Sequence, residues 1–208
     1  AIGLEAALGA FAAGLILMSN WDGMSPLIDP LCGSATFLIE AASIALGLPT
    51  GLNKSFLFES WADFDLEKWN QQKDIAINFK LKGKNLPFIR GCEEDVDIAN
   101  QAKTNIQAAG LENVIKVQNS SFIDLELPDQ PGFIVCNPPY GKRLGEEKKL
   151  EILYSQIGEF CKQKASGWEL WLLNGNPYLS KFLKMKCSSR IPVSNGGIDC
   201  RWLNYKIH

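Results

Sequence analysis

A predicted strand that stops at two consecutive prolines is the feature that most restricts how this chain can fold. Residues 133–136 (Phe-Ile-Val-Cys) form a short apolar run, which is typical of a strand buried inside a sheet. The run ends in Asn-Pro-Pro-Tyr-Gly at residues 137–141. Proline has no N–H and a fixed φ angle, so two prolines end the strand pairing and stiffen the backbone. In an open α/β sheet, ligands bind at this carboxyl edge of the strands.

The loop after this strand carries groups that can hold a planar amino group. The Asn137 side-chain oxygen and the Pro138 carbonyl can accept hydrogen bonds from an –NH2 group. Pro139 adds stiffness, and the Tyr140 ring can stack on the ring that bears the amino group. The alternative is an ordinary turn that ends the strand and places a tyrosine in the core. The remainder of the chain favours the first interpretation.

Strands and helices alternate along the chain. Seven segments predict strands, at residues 26–29, 87–92, 114–117, 133–136, 169–173, 191–193 and 201–207. Helices are predicted at residues 6–18, 36–46, about 65–80, 95–109 and about 150–163. Residues 47–88 are predicted to form an insertion with several aromatic side chains. This alternation predicts an α/β fold with a mostly parallel sheet, in which the last two strands form a reversed hairpin.

For two of the predicted helices, the sequence also indicates how the side chains are arranged. Residues 6–18, within a leading segment 1–25, are apolar but too few to cross a bilayer, and no basic flank precedes them. We therefore expect a buried helix packed on the sheet. The helix at 95–109 places Ile98, Ala102 and Ile106 on one face.

Three turns at the same predicted edge have the residues of a nucleoside-binding site. After the first strand, Gly33 and its small neighbours let a ligand approach the backbone, and Asp29 ends the strand. After the second strand comes Glu-Glu-Asp at 93–95, where a carboxylate can accept hydrogen bonds from both ribose hydroxyls, with Glu93 in the best register. The same acidic residues also suit a helix N-terminus. The third turn, at 118–122, would lie near an adenine ring.

Charge is distributed unevenly along the chain, whose net charge is −2. Residues 1–139 carry 9 Lys and Arg against 17 Asp and Glu, whereas residues 140–208 carry 12 against 6. The basic residues nearest the Asn-Pro-Pro-Tyr loop are Lys142, Arg143, Lys148 and Lys149. A phosphate backbone requires such a surface, although a solvated lysine-rich face has the same composition.

Cysteine and histidine usage argues against a metal site. The six cysteines are scattered, no two have CxxC spacing, and the single histidine is the last residue. Free thiols in apolar runs favour a reducing compartment. We therefore expect a cytoplasmic protein with no bound metal and no membrane segment.

Several stretches together resemble the RNA guanine-N2 methyltransferases, in particular the bacterial subfamily that acts on large-subunit ribosomal RNA. Residues 29–42 (DPLCGSATFLIEAA) are similar to the Asp-Pro-x-Cys-Gly-Ser-Gly-Thr signature of that family. Residues 56–69 (FLFESWADFDLEKW) resemble an insertion of the bacterial subfamily, and residues 137–144 (NPPYGKRL) resemble its catalytic motif. Leu-Tyr at 153–154 and Asn-Gly at 195–196 also match. The similarity covers essentially the whole chain.

The resemblance implies a single Rossmann-like domain over residues 1–208, with the doubly wound, mostly parallel seven-stranded sheet of class I methyltransferases. It implies S-adenosyl-L-methionine as cofactor, and methylation of the exocyclic amino group of a guanine in RNA, with ribosomal RNA as the expected substrate. By position, the residues that would hold the donor are Asp29, Pro30, Cys32, Gly33, Ser34, Glu93, Glu94, Ser121, Phe122 and Asn137. Those that would hold the target base are Asn137, Pro138, Pro139 and Tyr140, and those that would contact RNA are Lys142, Arg143, Lys148 and Lys149.

The chain departs from that family at three points. Ala35 stands where the family usually has glycine, and its methyl group is expected to crowd the ligand or shift the turn. Ser121 lies where an acidic residue commonly reads the adenine amino group, with Asp124 three residues on. We also expect no N-terminal RNA-binding module of the THUMP type within these residues. Two other functions stay open. The same loop suits an amino methyltransferase for DNA or protein, and Ala35 and Ser121 are consistent with a catalytically weak RNA-binding module. The sequence does not indicate an oligomeric state.

Overall fold

The computed structural model describes residues 2–48, 55–78, 86–141 and 147–208, with the side chains of 8–48, 55–75, 86–141 and 147–208. The helices are Ile2–Met18 (α1), Thr36–Leu46 (α2), Leu66–Asn78 (α3), Val96–Ala108 (α4) and Glu147–Lys164 (α5). The strands are Leu27–Asp29 (β1), Ile89–Glu93 (β2), Ile115–Asn119 (β3), Phe133–Cys136 (β4), Glu169–Asn174 (β5), Ser189–Asn195 (β6) and Ile198–Lys206 (β7). Short 3-10 helices are Leu57–Ser60, Phe122–Asp124 and Leu179–Leu183.

The seven strands form one sheet in the order β3-β2-β1-β4-β5-β7-β6. Strands β1 to β5 are parallel, and β7 is antiparallel to both β5 and β6. The β6–β7 hairpin turns through Gly196 and Gly197, whose φ angles of 57° and 83° suit a type I′ turn. The predicted fold class, a mostly parallel seven-stranded sheet that ends in a reversed hairpin, is confirmed.

The sheet changes its direction of growth between β1 and β4. Strands β2 and β3 are added on one side of β1, whereas β4 and β5 are added on the other. The carboxyl ends of β1 and β4 therefore border the crevice in which ligands bind in open α/β sheets. Asp29 is the last residue of β1, and Asn137 directly follows β4. The topology thus brings two of the predicted ligand-binding turns together.

The central strands are apolar because both faces of the sheet are covered. In β1, Leu27 packs into one core cluster and Ile28 into the other. The first cluster contains Trp202, which is fully buried and stacks on Phe37 and Trp171 with ring centroids 5.9 and 5.7 Å away. This packing fixes the strand ends that carry the site.

Helix α1 differs from its prediction. It packs against α2, and it buries Leu15 and Ile16 in the first core cluster. However, Leu17 is 62% exposed and Leu8 is 43% exposed. The helix therefore has one buried side instead of being buried as a whole, and its apolar composition on all sides hides this in the sequence. No helix in the described part of the chain is long and apolar enough to span a membrane.

The buried face of α4 differs in part from the predicted face. The buried side chains are Ala99, Ala102 and Ile106, at a helical spacing of three and four residues. Of the three residues predicted to share one face, Ala102 and Ile106 are buried, whereas Ile98 is 43% exposed. The smaller Ala99 is buried in its place, and the helix can therefore pack close to the sheet.

Candidate active site

The turn between β1 and α2 depends on two residues with positive φ angles. Gly33 has φ 52° and Ala35 has φ 69°. The backbone N–H of Cys32 donates to the Cys92 carbonyl at 2.9 Å and ties the turn to β2. A Cβ atom on Gly33 would meet no other described residue beyond its chain neighbours within 4 Å, so a ligand can approach its backbone there. Ala35 is fully buried in the first core cluster, and its positive φ angle is uncommon for a residue other than glycine.

Two carboxylates converge on this turn. Asp29 is 1% exposed, and its Oδ1 accepts a hydrogen bond from the Leu31 N–H at 3.1 Å. Glu93 accepts hydrogen bonds from the N–H of Gly33 at 3.2 Å and of Asp95 at 3.0 Å. Burial of Asp29, together with the negative charge of Glu93, raises the pKa of Asp29 to about 8. Among the described residues, neither carboxylate forms an ion pair, so these two acidic groups suit a ligand that carries positive charge.

A cavity of about 150 Å³ is lined by Asp29, and Glu93 adjoins it through its hydrogen bond to Gly33. Its walls include five of the predicted site residues, which are Asp29, Cys32, Gly33, Ser34 and Asn137. Helix α1 adds Phe11 and the end of β5 adds Leu173, neither of which the sequence indicated. Burial raises the pKa of Cys32, so the thiol stays neutral and serves as part of the wall.

Other predicted donor residues lie outside this cavity. Pro30 is buried, and the exposed Glu94 side chain makes no contact that the structure records. The Glu94 carbonyl accepts a hydrogen bond from Asn119 Nδ2 at 3.0 Å, and the same nitrogen donates to the Glu93 carbonyl at 2.9 Å. Asn119 therefore fixes the backbone at the end of β2, a role that the sequence analysis missed.

The third predicted turn contributes less than expected. The Phe122 ring is 2% exposed and packs edge-on against Phe160 with centroids 5.6 Å apart. Its side chain therefore belongs to the second core cluster, which leaves only its backbone for a ligand. Ser121 is half-buried, and its hydroxyl caps no backbone group of the following 3-10 helix.

The Asn-Pro-Pro-Tyr loop presents one unengaged amide and one fixed aromatic ring. Asn137 is exposed, and its side chain makes no hydrogen bond to another described residue. Pro138 is buried and Pro139 is exposed. The Tyr140 ring is half-buried, and its hydroxyl accepts a hydrogen bond from Asn195 Nδ2 at 2.8 Å. The loop thus combines the two interpretations. The amide of Asn137 is available to a ligand, as an amino-group site requires, and Tyr140 is partly packed, as in a turn that places a tyrosine in the core.

Three residues beyond the motif set the position of Tyr140. Asn195, at the end of β6, holds the hydroxyl, and the Cys200 thiol donates to the same oxygen at 3.7 Å. Gly175, directly after β5, lies against the ring: a Cβ atom there would be 2.5 Å from Tyr140 Cδ2 and Cε2. Burial raises the pKa of Tyr140, so the ring remains a neutral surface.

The predicted basic residues are only partly described. Lys148 and Lys149 are exposed in the first turn of α5, near the carboxyl edge of the sheet. Lys142 and Arg143 lie outside the described residues. Where the structure describes the chain, no three His, Cys, Asp or Glu side chains are placed to hold a metal ion.

The sheet order, the glycine turn after β1, the acidic residue after β2 and the Asn-Pro-Pro-Tyr loop after β4 define a class I methyltransferase fold. Within that class, the chain belongs to the RMKL-like methyltransferase domain family, whose model matches residues 4–204.

Curated relatives of the chain are longer than it is. A Marinomonas sp. protein named ribosomal RNA large subunit methyltransferase K/L is 39% identical over 91% of this chain and 28% of its own length. The Synechocystis sp. protein slr0064 is 38% identical over 95% of this chain and 51% of its own length. The chain therefore spans about half, or less, of the curated relatives that it matches.

Solved structures of methyltransferases and methylases are similar to this chain over almost its whole length, and it covers about half of each of them. SMU.472, crystallised with SAH, superposes with a TM-score of 0.89 at 30% identity, over 96% of this chain and 52% of that one. A predicted N6-adenine-specific DNA methylase from Listeria monocytogenes superposes with a TM-score of 0.85 at 28% identity, over 96% of this chain and 51% of that one.

Proposed function

We propose that this chain transfers a methyl group from S-adenosyl-L-methionine to the exocyclic N2 amino group of a guanine in RNA, with large-subunit ribosomal RNA as substrate. The observation that carries the proposal is a single cavity lined both by the turn after β1 and by Asn137. The names of the K/L relatives and the SAH bound to SMU.472 support it.

The residues at the cavity fit the donor. Its sulfonium and ammonium groups are cationic, and the cavity offers the buried Asp29 with Glu93 nearby. The open backbone at Gly33 allows close approach. The volume of about 150 Å³ is less than the roughly 300 Å³ at which small-molecule pockets usually begin. The cavity would thus enclose part of the donor, and its ribose would lie across the open edge beside Glu93.

The Asn-Pro-Pro-Tyr loop would hold the acceptor. When bound, the donor supplies a methyl group activated by its sulfonium. The Asn137 oxygen and the Pro138 carbonyl would accept hydrogen bonds from the amino group, so that the nitrogen lone pair is freed from the ring and oriented. Tyr140, already fixed by Asn195, would support the ring of the base. A paired base is out of reach, so the target must be unpaired or flipped.

Product analysis tests the proposal directly. The chain is incubated with methyl-labelled S-adenosyl-L-methionine and ribosomal RNA, and the RNA is digested to nucleosides. We expect N2-methylguanosine. Labelled N6-methyladenine, or label in DNA or protein instead of RNA, would replace the substrate proposed here with one of its alternatives. Donor binding without any methylation would favour an RNA-binding module.

Glu93→Ala is expected to weaken donor binding by about 10- to 100-fold, because a hydrogen bond to a charged group contributes about 1.5–3 kcal/mol. The variant loses both the ribose contact and the acceptor of the Gly33 N–H. Calorimetric titration of the donor measures the effect. Asp97→Ala is the matched control, since its carboxylate is exposed in the first turn of α4 and makes no hydrogen bond to another described residue. Equal losses in both variants would show a general charge effect.

Gly175→Ala is expected to lower turnover by about 100-fold with little change in donor affinity, because a small misplacement of a positioning group has that effect. The added Cβ would lie 2.5 Å from the Tyr140 ring and 3.2 Å from Cys200 Sγ, so the ring must move. Gly141→Ala is the control, since a Cβ there meets no atom within 4 Å among the described residues. Unchanged turnover in Gly175→Ala would remove Tyr140 from the acceptor site.

A further inference from the structure

A second, larger cavity lies away from the candidate active site. Its volume is about 410 Å³, and its walls carry the side chains of Lys162, Lys184, Lys186 and Lys206. We call it the lysine groove. Among the described residues that line it, none is Asp or Glu. All four lysines are exposed, and none of their ammonium groups has a hydrogen bond or ion pair with another described residue. The groove therefore concentrates positive charge in a concave surface, which raises the local concentration of anions.

The lysine groove lies at the amino edge of the sheet. In the backbone register of the sheet, Lys206 of β7 lies opposite Glu169, the first residue of the parallel strand β5. Lys162 is in the last turn of α5, just before that strand. The active-site cavity instead includes Leu173, near the other end of β5. Six residues of extended strand span roughly 20 Å, so the groove and the methyl-transfer site lie at opposite edges.

The composition of the groove indicates the kind of anion. Specific recognition of one phosphate group typically uses the fork of arginine or a cradle of backbone N–H groups. The groove instead presents separate lysine ammonium groups, which act as point charges on flexible stems. Such groups suit a polymer of phosphates that is bound through its backbone, without readout of its sequence.

We propose that the lysine groove binds the sugar-phosphate backbone of the substrate RNA at a distance from the target nucleotide. The inference rests on the proposed function, because it takes RNA as the substrate. Base recognition at Asn137 and anchoring at the groove are then separate contacts on opposite edges of the sheet. This division is useful because the loop can accept different local structures around one guanine while the groove holds the flanking RNA.

A cysteine in the lysine groove can be used to detect binding there. Cys187 lines it and is half-buried, whereas the other five cysteines, all within the described residues, are buried. Alkylation under native conditions should therefore modify Cys187 first. With a short single-stranded RNA of mixed sequence as the probe, we expect the alkylation rate of Cys187 to fall severalfold. Inorganic polyphosphate without RNA is run in parallel to identify a pocket for small anions.

Lys184→Gln combined with Lys186→Gln tests the charges. Each lysine–phosphate contact with a single strand contributes about 0.7 to the slope of log affinity against log salt concentration. The double variant should thus reduce that slope by about 1.4 and lose the protection of Cys187. The matched control is Lys103→Gln with Lys116→Gln, which removes the same charge at the β3 side of the sheet. Protection is compared with and without RNA in each variant, because the substitutions themselves change thiol reactivity.

The outcomes separate the two proposals. RNA binding with protection that is lost only in the Lys184/Lys186 variant supports the groove. Normal RNA binding and methylation without protection of Cys187 overturns the groove and leaves the proposed function standing. Protection by polyphosphate but not by RNA also overturns it in favour of a small-anion site. Absence of RNA binding together with absence of RNA methylation overturns the proposed function and the groove with it.

Discussion

Replacing Asn137 with alanine is expected to lower turnover by about 100- to 1000-fold, the range seen when one oriented hydrogen-bonding group is removed from an active site. Asn137 lines the same cavity as Asp29 and Gly33, and its amide makes no hydrogen bond to another described residue. It is therefore available to accept a hydrogen bond from the reacting amino group. Single-turnover methylation of RNA at saturating donor measures the loss.

Donor binding in the same variant is expected to change little, because an interaction made mainly in the transition state affects turnover rather than ground-state binding. Folding should also be nearly unaffected, since surface substitutions usually change stability by less than about 0.5 kcal/mol. Calorimetric donor titration and thermal unfolding check both points. If donor affinity fell in parallel with turnover, Asn137 would be a donor-binding residue instead.

Asn137→Asp is the matched control for the acceptor role. Aspartate keeps a side-chain oxygen at this position. It lacks the amide N–H groups but can still accept a hydrogen bond from an amino group. We expect it to retain more activity than Asn137→Ala. An aspartate variant as inactive as the alanine variant would indicate that the amide N–H groups matter, contrary to the proposed role.

Local signals in the sequence predicted the framework well. The strand at 133–136 is predicted with its observed bounds, because the prolines that follow it prevent further pairing. The helix at 36–46 also has its observed bounds, and Gly47 ends it with a φ angle of 61°. Since the turns after β1 and β4 follow directly from these elements, the residues that these two turns bring to the cavity could be predicted from their positions, whereas Phe11 and Leu173 could not.

Contacts between distant segments could not be predicted in this way. Tyr140 depends on Asn195, 55 residues away, and on Gly175, where the requirement is the absence of a side chain. The exposure of Ile98 in place of Ala99 depends on how closely α4 packs, which apolar character alone does not reveal. Likewise, the sequence does not show whether the Phe122 ring contacts a ligand or packs in the core. Its contact with Phe160, a residue distant in sequence, places it in the core.

The contribution of Asp29 to the free energy of unfolding, without donor, is expected to fall as the pH rises from about 4 to about 8. Burial, together with the charge of Glu93, raises the pKa of this carboxyl from 3.8 to about 8 in the folded state. Between these values the folded chain keeps a proton that the unfolded chain releases, so ionisation favours unfolding. The free energy of unfolding can fall by about 1.4 kcal/mol for each pH unit in this range. Thermal unfolding at a series of pH values measures it.

Asp29→Asn should remove this part of the pH dependence, because the amide does not titrate and has nearly the shape of the protonated carboxyl. At pH 8 the variant without donor is expected to be more stable than the unmodified chain. The substitution should also weaken donor binding, since the amide offers no negative charge. A pH dependence that is unchanged in Asp29→Asn would assign the effect to other groups.

Donor binding should restore the ionisation of Asp29 that burial suppresses. A cation near the carboxylate favours the charged form and lowers its pKa. Binding below pH 8 must therefore release a proton, and affinity should increase with pH by up to about tenfold per unit, then level off above pH 8. Calorimetry in two buffers with different ionisation enthalpies counts the released proton directly. Binding without proton release would mean that the cationic groups of the donor lie away from Asp29, and that the acidic cluster serves the turn instead of the ligand.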